Sequence, residues 1–126
     1  AMAQFFIASA AVSGALAVSF GAFGAHALKA RLDSYSLGVF ETAVQYHFIH
    51  SLALLAVGIL LQQNSELALL RSSGWLFVLG MLLFSGSLYV LSLSGLRWLG
   101  AIAPLGGLSF IAAWGCLAAA SWKLAG

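Results

Sequence analysis

The chain has 126 residues, of which 63% are hydrophobic and only 6% charged, with a mean hydropathy of +1.06. This composition excludes an ordinary water-soluble domain and makes lipid the solvent. The formal charge of +2 comes from five scattered basic residues, without the cluster that nucleic acid or a polybasic lipid switch requires.

A hydrocarbon core of about 30 Å needs roughly 20 apolar residues per helix at about 1.5 Å rise. Four windows qualify: residues 5–24, 42–61, 74–93 and 101–121. They are too long and continuous for barrel strands, and backbone groups in lipid must be satisfied internally. The predicted fold is an all-α, up-down bundle of four transmembrane helices forming one domain over residues 1–126. Both termini then share one face, side A, with the loop around residues 62–73; the first and third loops share side B.

The first span is preceded by no Lys or Arg and is longer than a normal signal-peptide apolar region. We therefore expect it to be retained, although Ala25-His26-Ala27 has the small-x-small form of a cleavage site. Met2 reads as the native initiator behind an added Ala1. Ser9, Ser13, Ala17, Gly21 and Ala25 follow one another at i+4, a ladder of small residues of the kind that lets another helix approach closely. Its expected use is packing within the bundle; contact with a second copy of the chain is the alternative.

Residues 27–40 are too polar to span, yet Leu28, Leu32, Tyr35 and Val39 recur at helical spacing. This pattern predicts an interfacial amphipathic segment, with Lys29, Arg31 and Asp33 toward headgroups or water. The second span then carries Tyr46, His47 and His50, polar groups that at bilayer depth face a protein interior, a cavity or a ligand. On a wheel of about 100° per residue these three share one sector, whereas Glu41 and Gln45 fall on another face. Glu41 is thereby removed as a partner of His50. His47 and His50 at i+3 supply at most two metal ligands from one helix, short of a site.

In the third span Ser85, Tyr89 and Ser92 form an i, i+4, i+7 stripe. If the second and third helices are antiparallel and centred together, residues at equal depth sum to about 135, which sets His50 level with Ser85 and Tyr46 level with Tyr89. Pro104 opens the fourth span, where its missing N–H costs nothing. Gly106 and Gly107 beside it are expected to thin the helix for packing. The alternative is that they leave room for a ligand. Ala112, Cys116 and Ala120 form a shorter small-residue stripe. The lone Cys116 cannot form an intrachain disulfide and reads as a small packing residue.

Polar residues concentrate in the side B halves of the spans, a pattern that favours a pocket open toward side B over a conduction path through one chain. No nucleophile motif with its acid and base is present, and no phosphate-binding glycine motif. Basic residues divide two to side A and three to side B, so the positive-inside rule gives almost no orientation. Trp75, Trp98 and Trp122 sit near span ends, as interfacial anchors do.

Four ordered motifs carry a family resemblance: Gly21-Ala-Phe-Gly-Ala-His26-Ala-Leu, Thr42-Ala-Val-Gln-Tyr46-His-Phe-Ile-His50-Ser-Leu-Ala-Leu, Phe84-Ser-Gly-Ser-Leu-Tyr89, and Pro104-Leu-Gly-Gly107 with Trp114 downstream. Through them nearly the whole chain resembles the small membrane family known as domain of unknown function 423, related to eukaryotic transmembrane protein 256. Ala113 stands where that family often has glycine. The resemblance implies a bacterial inner-membrane protein of four helices, and implies no activity, substrate or cofactor. The basic tail frequent in the family would hold both termini in the cytoplasm, although this sequence ends Lys123-Leu-Ala-Gly126.

The leading expectation is a non-enzymatic bundle, embedded in the lipid bilayer, whose side B pocket binds a small molecule, lipid or protein partner. Its lining is His26, Tyr46, His47, His50, Ser85 and Tyr89, and its packing positions are Ser13, Ala17, Gly21, Gly106 and Gly107. No cofactor and no nucleic acid is expected. One alternative is a homo-oligomeric channel or proton-linked transporter that titrates His50. A redox protein holding haem or metal through His26, His47 and His50 is the other.

Overall fold

A computed structural model describes residues 1–125. Four long helices are present: α1 (Met2–Leu28), α2 (Ser34–Gln63), α3 (Ala68–Ser94) and α4 (Arg97–Lys123). Each outruns its apolar window, because a helix satisfies its own backbone whatever side chains it carries and so continues through the headgroup layer. The connections are tight. After α3, Gly95 takes φ 75° and returns its N–H to Leu91 O at 2.8 Å, a left-handed cap that an L side chain would strain.

The stretch read as interfacial divides in two. Lys29 to Asp33 is a turn, and from Ser34 the chain is already in α2. Asp33 sets the boundary: its backbone is extended and its carboxylate accepts from Ser36 N–H at 2.7 Å, capping the helix. That bond holds the Asp33 carboxyl below its ordinary range. Tyr35 therefore stands on the first turn of α2, with the Arg97 guanidinium 6.0 Å from its ring centroid.

Neighbouring helices are antiparallel. Ser13 meets Ser51 between α1 and α2; between α3 and α4, Ser73 Oγ donates to Ala113 O at 2.8 Å and Ser109 Oγ to Leu76 O at 2.7 Å. Such interhelical bonds substitute for the hydrophobic effect inside a bilayer. The ends meet on side A, where Ala125 N–H donates to Asn64 Oδ1 at 2.8 Å. Phe6, Leu54, Val57, Leu61, Leu70 and Phe77 are buried together at the centre, while Val12, Leu16, Leu82 and Ile111 are exposed to what is lipid in the membrane.

Of the α1 ladder, Ala17 is fully buried and a Cβ on Gly21 would lie 3.3 Å from Val44 Cγ1 of α2, so these two lie on the face packed within the chain. Ala25 is exposed. In α4, Gly106 marks the closest approach: an added Cβ would stand 2.3 Å from Phe84 N and 2.7 Å from Phe84 Cα. At Gly107 the nearest atom would be 3.9 Å away, an ordinary contact. The Ala112–Cys116–Ala120 stripe runs from exposed to buried.

One irregularity bears on the site. Residues Met81–Ser85 of α3 form a π-helical turn, in which Gly86 N–H reaches back five residues to Met81 O. Such turns insert a residue into an α-helix and are frequent where side chains are re-aimed.

Candidate functional site

His47 and His50 are both buried, at 8% and 5% exposure, but they serve different neighbours. His47 points between α1 and α3. Its Nδ1 lies 2.8 Å from Tyr89 Oη and its Nε2 lies 2.9 Å from Ser13 Oγ. Ser13 Oγ is in turn 2.6 Å from Ser51 Oγ, which donates to the His47 carbonyl at 2.8 Å.

Counting one proton per bond orients this chain. Ser51 spends its proton on His47 O, and Ser13, whose other acceptor is the weak Met81 thioether at 3.4 Å, is assigned as the donor to Ser51. Ser13 then accepts from His47 Nε2–H, and Tyr89 donates to the bare Nδ1. A second proton on His47 would require only that the Tyr89 hydroxyl turn away, since both hydroxyl oxygens can accept.

His50 faces α4 instead. Its ring stacks on Phe110 at 3.6 Å and 6°, and its Nε2 accepts the Trp114 indole N–H at 3.1 Å. Indole only donates, so Nε2 is unprotonated; Nδ1 carries the proton and donates to Tyr46 O at 2.8 Å. Both nitrogens are committed, and an extra proton would force Trp114 off. Tyr46, 39% exposed, lays its ring against Phe84 at 4.5 Å.

A cleft of about 570 Å³ runs between α1 and α3 with α2 as its floor, within the usual size range of small-ligand sites. It extends from the level of Phe5 to that of Phe20 on α1, about 22 Å at helical rise. Phe5, Val12, Leu54 and Leu82 line its side A part and its mouth; Ser13, His47, Ser85 and Tyr89 form its polar side B part, with half-buried Ser9 as an outlier. At the side B end Phe20 packs edge-on against Tyr89 at 5.0 Å, and Tyr89 lies 5.2 Å from Phe40. The expected opening toward side B is thus covered by aromatic rings, and the cleft opens sideways between the helices.

Of the six residues expected to share a pocket, His47, Ser85 and Tyr89 come together in the cleft. Tyr46 and His50 are turned toward α4, and His26 is exposed at the end of α1. Tyr89 bonds His47, one residue from the level expected for it, while the ring of Tyr46 lies against Phe84. Ser13 belongs to the polar chain although its spacing suggested only packing. Ser51, Phe110 and Trp114 were given no site role from the sequence, although Ser51 stands within the second motif and Trp114 within the fourth.

Chemically, Ser13–His47–Tyr89 has the outline of a nucleophile, base and orienting group. The proton order runs the wrong way for it, with Nε2–H donating to Ser13, and Tyr89 supplies no negative charge to support an imidazolium. Among the described residues no three His, Cys, Asp or Glu side chains converge on a common point.

Comparison with known proteins bears on the whole chain. The family model described as "Protein of unknown function (DUF423)" matches residues 20–107. The UPF0382 membrane protein YwdK of Bacillus subtilis is 44% identical over 94% of this chain and 96% of its own. UPF0382 membrane protein SH2409 of Staphylococcus haemolyticus is 42% identical over 98% of this chain and 99% of its own. The UPF0382 inner membrane protein YgdD of Escherichia coli K12 is 38% identical over 96% and 92%. No solved structure matched. With four membrane-spanning helices and near full-length relatives that are named membrane proteins, this chain is an integral membrane protein belonging to the DUF423 family.

Proposed function

We propose that this protein is a non-enzymatic membrane component that takes an apolar small molecule or lipid from the bilayer into the lateral cleft between α1 and α3. The observation that carries this reading is the hydrogen-bonded Ser13–His47–Tyr89 wall set into an otherwise apolar, sideways-opening cleft. An ionisable side chain within a membrane span is costly, and His47 marks the cleft as a candidate site on that ground. The missing charge partner and the proton order at Ser13 support a binding role over catalysis.

The test is native mass spectrometry of protein released from nanodiscs, comparing wild type with Ala8→Trp, which fills the cleft from α1. A retained small molecule in wild type and its loss in the folded variant is the expected result. Equal retention in both would refute the reading.

A second reading, proton-linked movement of a solute, is favoured by His47 alone, because its two hydroxyl partners can accommodate an added proton. That role passes from His50, whose nitrogens are both committed, to His47. Proteoliposome flux abolished by His47→Gln and retained in His50→Gln would support it; no flux from wild type would remove it. We further propose that both termini are cytoplasmic, which a C-terminal fusion to a reporter active only in the periplasm would test: a periplasmic signal would reverse the assignment.

A further inference from the structure

We infer that the occupant of the cleft is a single-chain amphiphile with an uncharged oxygen head, its tail along the side A part and its head oxygen accepting a hydrogen bond from Ser85. The inference rests on the cleft being a ligand site and adds the class of ligand.

Ser85 carries it. Among the described residues its hydroxyl is the one buried side-chain polar atom with no hydrogen-bond partner, and the residue is 1% exposed. Buried hydroxyls in apolar surroundings seldom go unpaired, and in transmembrane helices serine ordinarily donates to the carbonyl one turn back. Ser51, Ser87 and Ser94 all do so here. At Ser85 the equivalent carbonyl, Met81 O, receives Gly86 N–H through the π-turn, and Ser85 makes no bond to it. Ser85 lines the cleft wall with Gly86 beside it, where a Cβ would meet nothing nearer than Met81 O at 4.0 Å. The open space lies at Gly86 on the same wall, and the Ser85 hydroxyl, which is sealed as it stands, meets a head oxygen there by turning its side chain toward the cleft.

The head must be uncharged. No Lys, Arg, Asp or Glu lines the cleft, and His47, the titratable base on its wall, is neutral with both nitrogens hydrogen-bonded, so an ionised head would be buried without a standing counter-charge. The tail follows from shape: the side A part is lined by Phe5, Ala8, Leu54, Val78 and Leu82, and the cleft is long and narrow along the helix axes. Tyr89, whose proton goes to His47, keeps a lone pair for a head that can also donate.

The experiment uses full-length protein in phosphatidylcholine nanodiscs with three photoreactive diazirine chains of equal length: a monoacylglycerol, the free fatty acid held ionised at alkaline pH, and a headless alkane. The monoacylglycerol is expected to label α1 and α3 peptides at least about tenfold more than the carboxylate. Ser85→Ala is expected to cut its labelling by about two- to tenfold, the span of one net hydrogen bond, with the alkane's labelling unchanged. Equal labelling by monoacylglycerol and alkane in wild type, or no effect of Ser85→Ala in a protein of unchanged thermal stability, overturns the head assignment and leaves the cleft reading standing. Failure of every probe to label the cleft, with wild type and Ala8→Trp indistinguishable, overturns both.

Discussion

Replacing Gly106 with alanine tests the close backbone contact between α4 and α3. The new Cβ would sit 2.3 Å from Phe84 N and 2.7 Å from its Cα; both are backbone, so no side chain can swing aside. Restoring contact to about 3.5 Å requires α4 to back away from α3 by about 1.2 Å. A shift of that size stretches the Ser109–Leu76 and Ser73–Ala113 bonds, now 2.7 and 2.8 Å, beyond hydrogen-bond range. Overpacking costs about 1–3 kcal/mol, and two interhelical bonds at about 0.6 kcal/mol each place the total toward the upper end of that range. The expected loss for Gly106→Ala is about 3 kcal/mol, roughly a hundredfold in the folding equilibrium. Gly107→Ala, with its nearest atom 3.9 Å away, should cost nothing and can gain up to about 1 kcal/mol from alanine's higher helix propensity. Reversible unfolding in mixed detergent–SDS micelles measures both. Equal effects of the two substitutions would show that the α3–α4 contact is wrongly placed.

Imidazole ¹⁵N spectra should find His47 protonated at Nε2 and His50 at Nδ1, and Trp114→Phe should move only the His50 signals; a shared tautomer would refute the proton count. Trp114→Phe also leaves the buried His50 Nε2 unpaired, a loss of about 1–3 kcal/mol in the same unfolding assay, whereas no loss would mean that water replaces the indole. At the start of α2, Asp33→Ala should fray the first turn, seen as faster amide exchange at Ser36. Because Ser36 holds the folded carboxyl below its ordinary value of 3.8, the cap is complete above that pH and is lost as pH falls through the lower folded value. Wild type should then approach the variant's exchange in acid, and a wild-type advantage that grows in acid would contradict the cap.

Hydropathy made the four spans legible because lipid leaves few alternatives to long helices. Their ends were not, since Ser34 to Glu41 is polar yet helical once Asp33 caps it. The wheel correctly separated Glu41 and Gln45, both exposed, from the histidines, but it grouped His47 with His50. The roughly 60° between them is enough to send one ring into the α1–α3 cleft and the other against α4, and only the placement of those helices decides which. The equal-depth estimate for α2 and α3 came near the observed level: His47 bonds Tyr89 and Ser51 approaches Met81 Sδ at 3.7 Å. It concerned depth and not rotation, so it set Tyr46 level with Tyr89 without deciding that the neighbouring His47 makes the bond. Trp114 and His50 are 64 residues apart, and nothing local to either announces the other. The π-turn that ends at the unpaired Ser85 has no signature in the residues Met81 to Ser85.

The most direct test of the lateral binding site is an experimental structure of the full chain in nanodiscs of native bacterial lipid. The expected result is elongated non-protein density between α1 and α3, reaching from Leu82 to within hydrogen-bond distance of Ser85 Oγ. Contact of α1 with α3 that closes the cleft, with Ser85 bonded to the protein itself, would contradict it.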